Sequence, residues 1–148
     1  MANTLYDTDF PAWAFQQAAL LKDRKFDELD LDAIIDEIES MGKAEHRELL
    51  NRLTVLIAHL LKWQFQPERQ GNSWRNTIRT QRIEIPEHIE DMPSLNKDLQ
   101  DPDCLLKAWK RAVKKASVET YKPISEFPNK PIWTINEILD ENFYPSTH

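Results

Sequence analysis

The densest polar and aromatic stretch of the chain runs from His59 to Arg82, HLLKWQFQPERQGNSWRNTIRTQR. On a helix, Arg75, Arg79 and Arg82 recur at i, i+4 and i+7 and line one face. His59 and Trp63 stand one turn apart, and Arg69 and Trp74 lie between the two groups. Guanidinium forks bind carboxylates or phosphates bidentately, and indole rings are stacking platforms. His59, Trp63, Arg69, Trp74, Arg75, Arg79 and Arg82 are therefore the candidate binding residues, for nucleic acid or another anionic ligand. A scaffolding role competes. Residues 49–82 carry +5 and residues 1–48 carry −7. The arginines can thus close against a helix bearing Asp36, Glu37 and Glu39. Glu37 adjoins an apolar stripe at Ile38 and is the candidate acidic partner.

Other chemistry finds less support. The four histidines, His46, His59, His88 and His148, form no H-E-x-x-H, and no paired Glu-x-x-His motif of a di-iron bundle occurs. Glu84 and His88 are four apart, but Pro86 between them is expected to spoil their register. The single Cys104 excludes an intramolecular disulfide and a cysteine-based zinc site. It adjoins Leu105 in an apolar run, where a small buried hydrophobe is the commoner fate of a lone cysteine. There is no G-x-S-x-G elbow and no phosphate-binding glycine loop. An enzyme using Glu37 or His59 as general base would need both to line one cleft within reach of a substrate. No catalytic residue, metal or cofactor is assigned.

The elements that position these residues read as helices. The chain has 148 residues, enough for one domain that buries about 70% of its unfolded surface. It holds 2 glycines where roughly ten are usual, and nine prolines and polar caps punctuate it instead. Helices are expected from about Asp9 to Arg24, capped by Asp7 or Thr8, and from Leu31 to Met41. The second has an inner stripe of Leu31, Ile34, Ile35 and Ile38, and Gly42 serves as its C-cap. The central helix, about Lys43–Phe65, is apolar over a wide arc (Leu49, Leu50, Leu53, Leu56, Ile57, Leu60, Leu61 and Trp63), with Val55 and Ala58 outside it. Ser73 is expected to cap the arginine helix, which Pro86 breaks or kinks. A small helix opens at Pro93–Ser94. Asp101–Pro102 begins another, whose core face is Leu105, Ala108, Trp109, Ala112, Val113 and Ala116. A Pro-marked loop, 122–133, follows. Thr134 and Glu137 form a capping box before a last short helix and tail, 134–148. The expected fold is all-α: one domain of six to seven helices around the central one.

Taken in order, LYDTDFPAW, QQAALLKDRKFDELD, DEIESMGKAEHRELLNRL, HLLKWQFQPE, SWRNTIRTQR, PSL, and FP followed by the closing EILDENFYP resemble the bacterial domain-of-unknown-function family number twenty-nine, common in cyanobacteria and some proteobacteria. The resemblance covers nearly the whole chain. HLLKWQFQPE and SWRNTIRTQR are its most specific blocks. It implies an all-helical domain and no established activity. The family form often has a Cys-Pro pair before the C-terminal aromatic; here Pro131 and Ile132 precede Trp133.

A net charge of −6 disfavours non-specific binding to nucleic acid or anionic membranes. No apolar run approaches the roughly 20 residues that span a bilayer, and the start shows no signal peptide. The expectation is a cytoplasmic, non-catalytic protein-interaction or regulatory module with an unidentified protein partner, or a homo-oligomer. Anionic-ligand binding through His59–Arg82 is the alternative.

Overall fold

The computed structural model describes residues 4–146. His148, the last residues of the tail and the first three residues lie outside that range. Among the described residues there are seven α-helices and no strand: α1 (Leu5–Thr8), α2 (Phe10–Lys22), α3 (Leu31–Phe65), α4 (Asn72–Asp91), α5 (Asn96–Gln100), α6 (Pro102–Thr120) and α7 (Ile135–Leu139). The all-α expectation holds. The chain divides into two compact units, 1–44 and 45–148. Ten acidic and four basic side chains give the first unit −6; fifteen of each sign cancel in the second.

Several boundaries differ from those the sequence suggests. The first helix is two: Asp9 interrupts it and caps α2 by accepting from the Ala12 amide at 3.2 Å, in place of Asp7 or Thr8. The helix stops at Lys22, ahead of Arg24 at a φ of 58°. Gly42 ends nothing. α3 runs unbroken through it for 35 residues, so the predicted second and central helices are one. A helical glycine costs about 1 kcal/mol relative to alanine, which good helix formers on both sides outweigh. At the start of α4 the cap is Gly71, not Ser73, and it is extended, with no side-chain cap bond. Pro86 lies inside α4 without ending it. It is exposed, so the carbonyl it leaves unpaired one turn earlier can turn toward water.

In the first unit the core is small, with Trp13, Ala33 and Gln17 buried. Trp13 stacks on Tyr6 at 4.6 Å and Phe10 at 5.6 Å, and its indole N–H donates to Asp30 at 3.3 Å. The Gln17 carbonyl accepts the Asp30 amide at 2.9 Å, which fixes the entry into α3. The stripe expected to face inward faces out: Leu31, Ile35 and Ile38 are exposed, and only Ile34 is half-buried. Periodicity identifies an apolar stripe but does not say what it faces.

Glu37 accepts a hydrogen bond from the Tyr6 hydroxyl. That bond, with burial and the nearby carboxylate charges, pushes the phenol up to about 12. The bond stabilises the fold fully below the unfolded phenol's value of about 10 and is lost as pH rises through 12. Ultraviolet titration should show a phenolate step near pH 12 that Tyr6→Phe removes; an unchanged curve would refute the assignment.

The second unit is built on α3 from Leu49 onward. Leu49, Leu53, Leu56, Ile57, Leu60 and Leu61 are sealed from solvent, and so is Ala58, which the predicted arc left out. Ile78 and Ile85 of α4, Ala108, Trp109, Ala112 and Ala116 of α6 and Ile138 of α7 complete the core. Asp101 caps α6 by accepting the Asp103 amide at 2.9 Å. Thr134 and Glu137 form the expected capping box on α7. Phe143 and Tyr144 bring the tail onto the core.

Candidate functional site

The His59–Arg82 residues lie on the end of α3, the turn Pro67–Arg69 and the start of α4, all within the second unit. Tyr144, an aromatic of the tail outside the candidate set, organises them. Its ring packs on Trp63 at 4.8 Å, the Arg75 guanidinium lies 5.3 Å from the Trp63 ring centre, and that of Arg82 lies 5.5 Å from the Tyr144 ring centre. The two packed rings are thus flanked by cations, in the order Arg75, Trp63, Tyr144, Arg82.

The three arginines are not the equivalent row that their helical spacing alone suggests. Arg82 is buried, 7% exposed. Its Nε–H donates to the Ile138 carbonyl at 2.8 Å and its Nη2 to the Phe143 carbonyl at 2.8 Å. Burial pushes its guanidinium below the ordinary arginine value, and Nη1 is buried without a hydrogen-bond partner. This is a clamp between α4 and the C-terminal segment. Arg75 and Arg79 stay exposed; Arg75 donates to the Asn72 side chain at 3.3 Å. Arg79 and Arg82 line a cleft of about 250 Å³ with Ile83, Glu141, Asn142 and Tyr144.

A second cleft of about 290 Å³ is lined by Gln66, Arg69, Trp74, Glu119 and Tyr121. Lys62, unremarked in the sequence, is buried here. Its ammonium meets Glu119 at 2.7 Å and lies 5.2 Å from the Trp74 ring centre. Burial works against the Glu119 carboxylate, but the Lys62 hydrogen bond and charge prevail and hold it below the usual carboxylate range. Two further polar residues close the end of α3, where helix carbonyls lack partners. Gln70 donates to the Trp63 carbonyl and Lys122 to the Phe65 carbonyl, each at 2.8 Å.

His59 does not stack on Trp63 as a pair of its own. Its Nδ1–H donates to the Val55 carbonyl at 2.8 Å, and burial pushes the imidazole below its ordinary value. Below the unfolded value of about 6.5, the unfolded chain therefore binds the extra proton first. Stability falls as pH drops from there through the folded value. Urea midpoints at pH 7.5 and 5.0 should differ more for the wild type than for His59→Gln; equal losses would refute this. Glu37 and His59 belong to different units, and each already has its own partner.

Because α4 continues through Pro86, Glu84 and His88 do share a face, contrary to the register expected. His88 Nε2 meets Glu45 at 2.7 Å, and Glu84 meets Arg52, which also binds Glu48 at 2.9 Å. Ligand atoms of Glu45, Glu48 and His88 lie within 4.8 Å of one another and are the donors that could hold a divalent cation. His88 and Arg52 already satisfy the two carboxylates. Cys104 is half-buried, and burial raises its thiol, with Asp98 and Asp101 adding to the effect; this is the opposite of an activated nucleophile.

The geometry places a stack of rings flanked by arginines beside the clefts of Arg79 and Arg69. A family model, Domain of unknown function DUF29, matches residues 5–144. The chain belongs to the DUF29 family. Comparison with curated proteins and with solved structures finds no match. The DUF29 match spans both units, so the acidic N-terminal unit is part of the family's domain and the residues of the stack lie within it. No helix among the described residues is long and apolar enough to cross a membrane.

Proposed function

We propose that this DUF29 protein is a non-catalytic protein-interaction module that works in the cytoplasm, and that its recognition face is the outer side of α3 between Leu31 and Gly42. One observation carries the reading: Leu31, Ile35, Ile38 and Met41 stand 57%, 49%, 62% and 71% exposed on a helix whose unit buries little else. These four expose on the order of 400 Å² of apolar surface, the scale of patches that mark protein contacts. A unit of about 40 residues rarely sustains itself on so small a core without help from association. Helix-on-helix docking through i, i+4, i+7 anchors is the recognition mode that fits. Affinity capture with two differently tagged wild-type copies at near-physiological salt should retain one stoichiometric partner, either the other copy or another protein, and Ile38→Glu should lose it. Recovery of no partner, or equal recovery by the variant, would overturn the reading.

The second reading, an anionic-ligand or nucleic-acid site, is favoured by the exposure of Arg69, Arg75 and Arg79 beside Trp63 and Trp74. It is weakened by the engagement of Arg82 with two carbonyls. Phosphate contacts would make affinity fall steeply with salt. Fluorescence titration with single-stranded DNA and RNA tests it; no binding at low salt excludes nucleic acid.

A further inference from the structure

We infer that the occupant of the outer α3 face is a second copy of this chain, its α3 packed antiparallel on the first about a two-fold axis. The inference rests on the interaction reading above and names its partner. Leu31, Ile35, Ile38 and Gly42 are spaced 4, 3 and 4 apart, which aligns them in one row along the helix, the spacing of a helix–helix seam. Three of the four are large, exposed and apolar. The fourth is an exposed glycine in mid-helix, with nothing within 4 Å of where its Cβ would stand. No contact among the described residues accounts for that glycine, and a helix interior disfavours it.

Antiparallel pairing of two such rows accounts for both. The pairs 31 with 42 and 35 with 38 are symmetric about the midpoint between positions 36 and 37. One two-fold axis through that midpoint therefore sets Ile35 of each copy against Ile38 of the other. It also sets Leu31 of each copy into the gap at Gly42 of the other. A large side chain facing an absent one lets the backbones approach closely. A parallel pair would instead set Gly42 on Gly42 and leave a hole. On the flank, Asp32 of one copy comes beside Lys43 of the other, twice by symmetry, and the helix dipoles oppose. An isologous two-fold contact is also the commonest way for a chain to associate with itself.

The charge sets the salt dependence. Each first unit carries −6, and Asp36 and Glu39 repel across the axis, so screening should strengthen self-association. A basic partner would show the reverse.

The test is sedimentation equilibrium and light scattering of the full chain, followed by cysteine cross-linking. The expected mass is twice 17.5 kDa, with tighter association in 0.5 M than in 0.05 M salt. Ile38→Glu should yield a monomer with an unchanged helical spectrum. Gly42→Leu, which adds helix propensity and fills the gap, should weaken association at least tenfold; Val118→Glu, exposed in the second unit, should not change it. In a Cys104→Ser background, Leu31→Cys mixed with Gly42→Cys should form a disulfide between copies. Leu31→Cys alone should not, because its two copies stand roughly 17 Å apart along the antiparallel axis. A monomer at 0.2 mM, a dimer indifferent to Ile38→Glu, or ready cross-linking of Leu31→Cys to itself would each overturn the inference. A monomeric chain that still captures a different protein through Ile38 would leave the interaction reading standing; one that captures nothing would end both.

Discussion

Trp109→Ala is expected to destabilise the protein by about 5 kcal/mol, the largest effect of any single substitution. Trp109 is fully buried on α6 and meets Trp133 edge-on at 5.0 Å. Trp133 in turn meets Phe143 at 5.8 Å. The Trp109 indole N–H donates to the Pro128 carbonyl at 2.8 Å, which holds the Pro-marked loop against the core. Truncating a buried tryptophan costs about 3–5 kcal/mol in transfer and cavity terms, and the stranded Pro128 carbonyl adds about 1 kcal/mol or more. The sum reaches the lower end of the 5–15 kcal/mol that holds a typical domain together, so the variant should be largely unfolded at room temperature. Trp109→Phe keeps most of the volume and loses the donor, at an expected cost of about 2 kcal/mol. Urea unfolding followed by far-ultraviolet circular dichroism measures both. A cost below about 1 kcal/mol for the alanine variant would mean that the loop is not anchored through this ring.

Trp109 also shows what was legible in advance. Its place on the core face of α6 followed from spacing alone, because Leu105, Ala108, Trp109, Ala112, Val113 and Ala116 repeat with the helix period and nothing else in that segment competes. The Thr134–Glu137 box and the Asp101–Pro102 start were legible for the same reason: a cap is a contact between residues two or three positions apart. Gly42 does not end its helix, and of the two outcomes expected at Pro86 the break does not occur, because each is a local preference of about 1–3 kcal/mol set against the continuity of a long packed helix. The Leu31–Ile38 stripe was read correctly as amphipathic and wrongly as inward-facing, since periodicity is silent about what lies opposite. Lys62 gave no signal at all. A lysine on an apolar helix reads as a solvated residue until Glu119, 57 positions away, is found beside it. Tyr144 was likewise unreadable as the ring joining Trp63 to Arg82, because that contact exists only once the tail has folded back.

The hardest distinction for the sequence, among Arg75, Arg79 and Arg82, yields the second large effect. Arg82→Ala is expected to cost about 3 kcal/mol, whereas Arg75→Ala should stay within about 0.5 kcal/mol, as exposed substitutions do. Removing the Arg82 guanidinium deletes two charge-assisted bonds, to the Ile138 and Phe143 carbonyls, each worth about 1.5–3 kcal/mol. Relief of a buried charge that has no hydrogen-bonded carboxylate offsets part of that loss. The contact with the Tyr144 ring goes as well, so the loss should appear first as release of the C-terminal segment. Hydrogen exchange should accelerate at the amides of α7 and the tail before those of α3, and Trp63 fluorescence should change as Tyr144 leaves it. Arg82→Met, which keeps the stem and its packing, separates the two contributions. If the guanidinium bonds dominate, it should lose nearly as much as alanine; if the stem dominates, it should be close to wild type. An Arg82→Ala variant as stable as Arg75→Ala would show that the clamp contributes nothing. Arg82 would then be available, with Arg79 and Asn142, to an anion in the cleft they share.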